Sequence, residues 1–203
     1  MSISVFKHDL PDNFETGDMV AVDTETMGLN PHRDRLCLVQ LSNGDGTAAI
    51  VQLEKGQYDA PNLKKLLGDE KITKIFHYAR FDVAIIKHYL NIDCTSVYCT
   101  KIASRLCRTY TDRHGLKDLC RELLGVSLDK QQQSSNWGAD DLSQEQKAYA
   151  ANDVLYLHKL KEKLDAMLED NGRKDVAHQC FDFITARAEL DLMGWTETDI
   201  FSH

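Results

Sequence analysis

The sequence lacks the features that would tie it to a membrane or a structural zinc. No window of its 203 residues approaches the roughly 20 apolar positions that a spanning helix needs. The opening MSISVFKHDLPDNF has no basic stretch running into an apolar one, so a cytoplasmic protein without membrane contact is expected. Six cysteines, Cys37, Cys94, Cys99, Cys107, Cys120 and Cys180, form no C-x-x-C pair and no zinc-ribbon spacing. They read as reduced packing residues. Positive charge is in deficit, with 24 Lys and Arg against 32 Asp and Glu and a formal net charge of −8. Such a balance argues against coating long nucleic acid through a broad basic surface. A short phosphodiester stays compatible, because bound cations make clustered carboxylates part of a positive site. With three prolines, no Gly/Ser-rich linker and no internal repeat, one mixed α/β domain with a helical C-terminal extension fits best.

Hydrophobic patterning lays out that domain. Met19–Thr24 predicts a buried strand, Arg35–Ser42 a second after a turn at Leu29-Asn30-Pro31, and Thr47–Leu53 a third. Their short polar connections predict an antiparallel meander. Asn62–Leu67 then reads as a short helix, Thr73–Phe76 as a short buried strand and Phe81–Leu90 as an amphipathic helix. Helical spacing recurs over Cys94–Cys107 and Leu116–Leu124, and Ser143 with Gln146 forms a capping box opening a long helix toward Asn171-Gly172. A final helix is expected over Lys174–Leu192, and the aperiodic polar stretch Ser127–Asp140 as a surface loop near the site. Residues 1–172 then form the main domain, and 173–203 a helix and tail that belong to it or to an oligomer contact.

Three short segments carry candidate chemistry. Asp23 and Glu25, two apart in a strand flanked by Val20 and Val22, project from the same face. Most Asp-x-Glu pairs are solvated charges at strand ends; here the acids emerge from a buried strand, where unpaired carboxylates are costly and bound cations remove the cost. Asp82 falls in the first turn of a predicted helix, a position that the helix dipole alone would favour by about 0.3 to 1 kcal/mol. Tyr149 and Asp153 lie four apart on the long helix and can address one ligand, or be an ordinary core phenol and surface acid.

Taken together, Asp23-Thr-Glu25, the Asp82 segment and Tyr149-Ala-Ala-Asn-Asp153 resemble the three exonuclease motifs of the DEDD superfamily, in its tyrosine-bearing DEDDy branch. Thr26-Met-Gly28-Leu29 after the first motif, Gly115-Leu-Lys-Asp-Leu and Ser135-Asn-Trp137 extend the likeness to the catalytic domain of ribonuclease D over roughly Met19 to Leu168. The helical accessory domains of ribonuclease D have no counterpart here, and the short chain looks like the nanoRNase C group. That resemblance implies a ribonuclease H-like exonuclease fold, a mixed sheet flanked by helices. It implies 3′-to-5′ hydrolysis of short oligoribonucleotides, including dinucleotides, to 5′-mononucleotides, in a closed homo-oligomer. Two other functions stay open: a broader exonuclease that trims RNA 3′ ends or degrades DNA, and an inactive module that binds nucleic acid or protein.

Four carboxylates without clustered His or Cys select hard cations, so two Mg²⁺ or Mn²⁺ ions held by Asp23, Glu25, Asp82 and Asp153 are expected at the phosphodiester. Tyr149 is a poor free base and is expected to orient the attacking water. Thr24, Met27, Gly28, Leu29, His77, Phe81 and Trp137 are the candidate substrate contacts. For Met27 to Leu29 a plain turn, and for His77 a structural hydrogen bond, are competing readings. The stretch Arg105 to Arg121, locally basic, faces either phosphate or solvent with intrahelical ion pairs. Trp137, Trp195, Ile200 and Phe201 suggest substrate stacking, subunit docking or packing within the chain.

Overall fold

The computed structural model describes residues 2–128 and 135–203. The part of the expected Ser127–Asp140 loop at 129–134 lies outside them. Six strands form one mixed sheet: β1 (Ser2–Lys7), β2 (Met19–Thr26), β3 (Leu36–Ser42), β4 (Thr47–Gln52), β5 (Thr73–Phe76) and β6 (Val97–Cys99), in the order β1-β4-β3-β2-β5-β6. β2, β3 and β4 are the expected antiparallel meander. β1 adds to β4 in parallel at one edge, and β5 and β6 continue from β2 in parallel at the other. Every residue of β3 is buried, because helices cover both faces of this central strand.

Helices α1 (Pro61–Gly68), α2 (Ala79–Leu90), α3 (Thr100–Cys107) and α4 (Leu116–Leu119) are followed by a π-helical turn at Cys120–Leu124, then α5 (Gln144–Leu155), α6 (Leu157–Asp170), α7 (Lys174–Asp182) and α8 (Ile184–Leu192). Ser143 and Gln146 close the expected capping box on α5. The single long helix expected after it is two, broken at Tyr156, because α5 packs on β2, β3 and β4 whereas α6 turns onto α3 and β5. The final helix is likewise broken at Phe183: α7 lies on α3 and β6, α8 on α2. Val97–Cys99, expected as helix, is a strand, since three apolar residues carry no period that separates the two conformations. The five cysteines Cys37, Cys94, Cys99, Cys107 and Cys120 are buried, Cys180 half-buried, and all six are free thiols. Among the described residues no helix is long and apolar enough to cross a membrane.

Candidate active site

β2 supplies the first two acids. Asp23 and Glu25 share the face of the sheet covered by α5, which carries Tyr149 and Asp153 one turn apart. Oxygens of Asp23, Glu25 and Asp153 lie within 4.8 Å of one another. Asp82 arrives by a different route. β5 pairs with β2 along Met19–Ala21, after which the strands part and the chain turns into α2. The first turn of α2 reaches β2 beside Thr24, whose Oγ1 donates to Asp82 Oδ1 at 2.7 Å. Thr24 alternates away from Asp23 and Glu25, so Asp82 is seated at the strand's flank rather than over its face.

The electrostatics record how tightly the four acids converge. Burial, then the charges of Asp82, Asp153 and Glu25, raises Asp23 well above the carboxylate range. Burial, followed by Asp153 and Asp82, pushes Glu25 up to about 9. Asp82 is lifted to about 7 by burial, against the opposing hydrogen bond from Thr24. Carboxylates crowded in this way hold protons at neutral pH, and a dication placed among them would displace those protons. The donors are all hard oxygens, which fit Mg²⁺ or Mn²⁺ and disfavour zinc. Tyr149 is half-buried, and burial foremost, then the charges of Asp153, Glu25 and Asp23, holds its hydroxyl protonated far above neutrality.

Beside the acids opens a cleft of about 410 Å³ lined by Thr24, Glu25, Thr26, Met27, Gly28, Leu29, Phe81, Ser135 and Trp137, a volume in the range of small-ligand sites. Leu29 stands 83% exposed on its rim and Met27 is also exposed. Gly28 is tucked against Asp34, whose Oδ2 would lie 2.3 Å from a Cβ at that position. This explains the glycine by packing. Gly138 is similarly confined: a Cβ there would lie 2.9 Å from both Met27 Sδ and Arg35 Nη2.

The expectation of a wholly surface-lying Ser127–Asp140 segment does not hold for Trp137, which is 2% exposed. It packs with Cys37, Leu38, Ile50, Leu142 and Ala150, its ring 5.9 Å from that of Tyr149. Three contacts draw the segment down onto the sheet: Arg35 Nη2 donates to the Gly138 carbonyl at 3.2 Å, Gln52 Nε2 to that of Ala139 at 2.7 Å, and Lys7 Nζ to that of Asp140 at 2.6 Å. Polarity of the local sequence gives no sign of such long-range ties.

His77 is not among the residues lining the cleft; its Nδ1 lies 2.9 Å from Thr100 Oγ1. Burial, then Lys101, pushes its pKa down to about 3, so the ring is neutral. The basic stretch divides. Arg108 is fully buried, paired with Glu122 and donating to Ser104 Oγ at 3.0 Å and the Arg113 carbonyl at 2.9 Å. Arg121 pairs with Asp118 at 2.7 Å, and Arg105 is exposed. Trp195, Ile200 and Phe201 are exposed, with Phe201 5.8 Å from Phe183.

One residue beside the acids escaped the sequence reading. Gln40 is fully buried in β3, opposite Asp23, with Nε2 3.5 Å from Asp23 Oδ2. An amide inside the apolar run Leu38-Val39-Gln40-Leu41 is the signal that marks it.

Comparison with known proteins places this geometry. Residues 7–169 match the 3′-5′ exonuclease family. A ribonuclease D of Gluconacetobacter diazotrophicus is 35% identical over 156 residues, covering 77% of this chain and 39% of the relative. The chain thus spans about two fifths of the length of that curated relative. The structure of Brucella melitensis NrnC bound to pGG aligns with a TM-score of 0.96 and 60% identity, over 100% of this chain and 99% of that one. The same protein with bound Mg²⁺ aligns at 0.95 and 58%, over 100% of both chains. The convergent acids, the facing tyrosine and full-length likeness to such a nuclease lead to one assignment: the chain belongs to the 3′-5′ exonuclease family, on its NrnC-like, ribonuclease D-related branch.

Proposed function

We propose that the protein is a metal-dependent 3′-to-5′ exoribonuclease that hydrolyses short oligoribonucleotides, including dinucleotides, to 5′-mononucleotides. The observation that carries the reading is the convergence of Asp23, Glu25 and Asp153, with Asp82 and Tyr149 beside them, next to a cleft that Glu25 helps to line. The fit to a structure of NrnC held with pGG supports a short oligonucleotide as the occupant, and the fit to its Mg²⁺ form supports the metal.

Asp23, Glu25 and Asp153, with Asp82 from the flank, would hold two Mg²⁺ or Mn²⁺ ions. Such ions, when bound, offset the phosphodiester's negative charge and acidify water. The protein's own groups do the rest. Tyr149 stays protonated, so it serves as a hydrogen-bonding group that orients the attacking water rather than as a base. Trp137 backs the Tyr149 ring. Thr24 fixes Asp82, and Gln40 steadies Asp23. Leu29, Met27 and Phe81 present apolar surface to the terminal bases and sugars, while the backbone of Gly28 lets the chain end approach closely.

We extend the proposal to a closed homo-oligomer. Exposed apolar side chains on and after the last two helices, Val176, Phe183, Met193, Trp195, Ile200 and Phe201, support it. Removing the residues after Leu192 is expected to change the assembled mass measured by light scattering; an unchanged mass would exclude the tail from assembly.

A time course on labelled RNAs of two to about twenty nucleotides, with a DNA control and a chelator, tests the substrate reading. Preferential turnover of the shortest RNAs, abolished by chelation, is expected. Equal rates across lengths would favour the broader ribonuclease D-like exonuclease, and cleavage of the DNA control would widen the substrate class.

A further inference from the structure

The family match ends at residue 169, yet the chain beyond it is bound into the walls of the site. In α8, Asp191 accepts from Arg80 Nε at 2.5 Å and Arg80 Nη2 at 2.7 Å, and from Arg187 Nη2 at 2.6 Å. Its side chain is 9% exposed. Such a two-pronged, charge-assisted pair is rigid as well as strong. Arg80 Nη2 donates further to the Thr196 carbonyl at 2.7 Å, and Arg187 Nη2 to that of Trp195 at 2.6 Å. At the other wall, the His32 ring Nε2 lies 3.0 Å from the Leu192 carbonyl, joining the end of α8 to the loop that follows Leu29. A second cleft between these contacts shares Leu29 and Phe81 with the first.

Arg80 is the second residue of α2, two before Asp82. The start of that helix is expensive to form. Tyr78, its N-cap, sits in the left-handed region with φ 80° and ψ 42°, and makes no side-chain capping bond. A bulky side chain held there costs about 1–3 kcal/mol and persists where surrounding structure dictates it. Two outside contacts bear on this turn: the Lys101 ammonium 4.2 Å over the Tyr78 ring and the Asp191 carboxylate on Arg80.

We propose that Asp191 is a positioning residue for the metal site: by clamping Arg80 to α8 it fixes the first turn of α2, and with it the Asp82 carboxylate against Thr24 and Asp23. The inference rests on Asp82 being a metal ligand, as proposed above. The clamp acts on metal affinity more than on the fold, because α2 beyond its first turn is anchored by buried Val83, Ile85, Ile86 and Leu90.

The test measures dinucleotide hydrolysis against Mg²⁺ concentration in the full chain, alongside thermal melting. Asp191→Asn is expected to raise the half-saturating Mg²⁺ about tenfold with a smaller loss of kcat at saturating metal, and Asp191→Glu to recover part of the difference. Arg80→Lys, which keeps the charge but loses the fork, is expected to shift the metal midpoint in the same direction and serves if Asp191→Asn fails to fold. Phe181→Leu in α7, which lowers the melting temperature without touching the clamp, should leave the midpoint in place. An unmoved midpoint in Asp191→Asn or Arg80→Lys, or an equal rise in Phe181→Leu, would overturn the proposal and reduce the contact to structural support. If wild-type hydrolysis does not depend on Mg²⁺, the assignment of the acids fails instead.

Discussion

Replacing Glu25 by Gln should strengthen the metal-free protein while destroying its activity. The carboxyl is pushed up to about 9, by burial first and then by Asp153 and Asp82, from an ordinary unfolded value near 4.5. A folded-state pKa above the unfolded one means that the folded chain binds the extra proton. The contribution of Glu25 to the stability of the metal-free fold is therefore fully present below about pH 4.5 and is lost as pH rises toward 9. At pH 7 roughly 2.5 of those pH units have been crossed, worth on the order of 3 kcal/mol at 1.36 kcal/mol per unit. An amide in place of the carboxyl has no such proton to lose. In EDTA the variant should melt roughly 6–12 °C above wild type at pH 7, using about 2–4 °C per kcal/mol for a chain of this size, with little difference at pH 4.5. Mg²⁺ closes most of that gap. Wild type should gain about 2.7 kcal/mol at a hundred times its dissociation constant, the gain growing from pH 6 to 9 as protons leave, whereas the variant gains little. Melting curves from pH 4.5 to 9, with EDTA or Mg²⁺, read all of this. A gap between variant and wild type that does not widen from pH 5 to 9 in EDTA, or a variant no more stable than wild type at pH 7, would refute the reasoning.

The remaining expectations concern other residues of the site and its support. Asp23→Ala and Asp153→Ala should each lower hydrolysis by several orders of magnitude while far-ultraviolet circular dichroism stays that of wild type; retained turnover in either would remove that residue from the metal set. Tyr149→Phe should lower kcat about 100-fold with the half-saturating Mg²⁺ unchanged, since the hydroxyl aligns water rather than binding metal; a shifted metal midpoint would contradict that role. Arg108→Ala leaves the Ser104 hydroxyl and the Arg113 carbonyl without their buried donor and should cost about 1–3 kcal/mol in denaturant unfolding, with kcat per folded molecule preserved. A loss of kcat at full stability would instead place Arg108 on the substrate.

The two motifs that lie on regular elements were readable because local periodicity suffices to aim them. Strand alternation puts Asp23 and Glu25 on one face, and helical spacing does the same for Tyr149 and Asp153. Asp82 was readable as a helix-start residue, but its partner Thr24, 58 residues earlier in the chain, was not, because strand β5 parting from β2 is a property of the sheet. Trp137 misled for a related reason: its neighbours Ser135, Asn136 and Gly138 are loop-like, and the carbonyl contacts from Arg35, Gln52 and Lys7 that press it inward belong to distant strands. The breaks at Tyr156 and Phe183 carry no Pro or Gly to announce them; each falls where a helix exchanges one packing partner for another. β1 stayed hidden as a short edge strand whose alternation covers only six residues. The Arg80–Asp191 clamp spans 111 residues and lies beyond any motif.

Gly138 has a further bearing on the cleft's dimensions. With Met27 Sδ on one side of it and the Arg35 guanidinium on the other, a methyl group at this point can be accommodated by moving one of two neighbours. Arg35 is tethered to the carbonyls of Leu53 and Gly138, so the thioether of Met27, which lines the cleft, yields first. A single hydrogen at residue 138 thereby leaves Met27 its place in the wall of the cleft, from a position that does not itself line it.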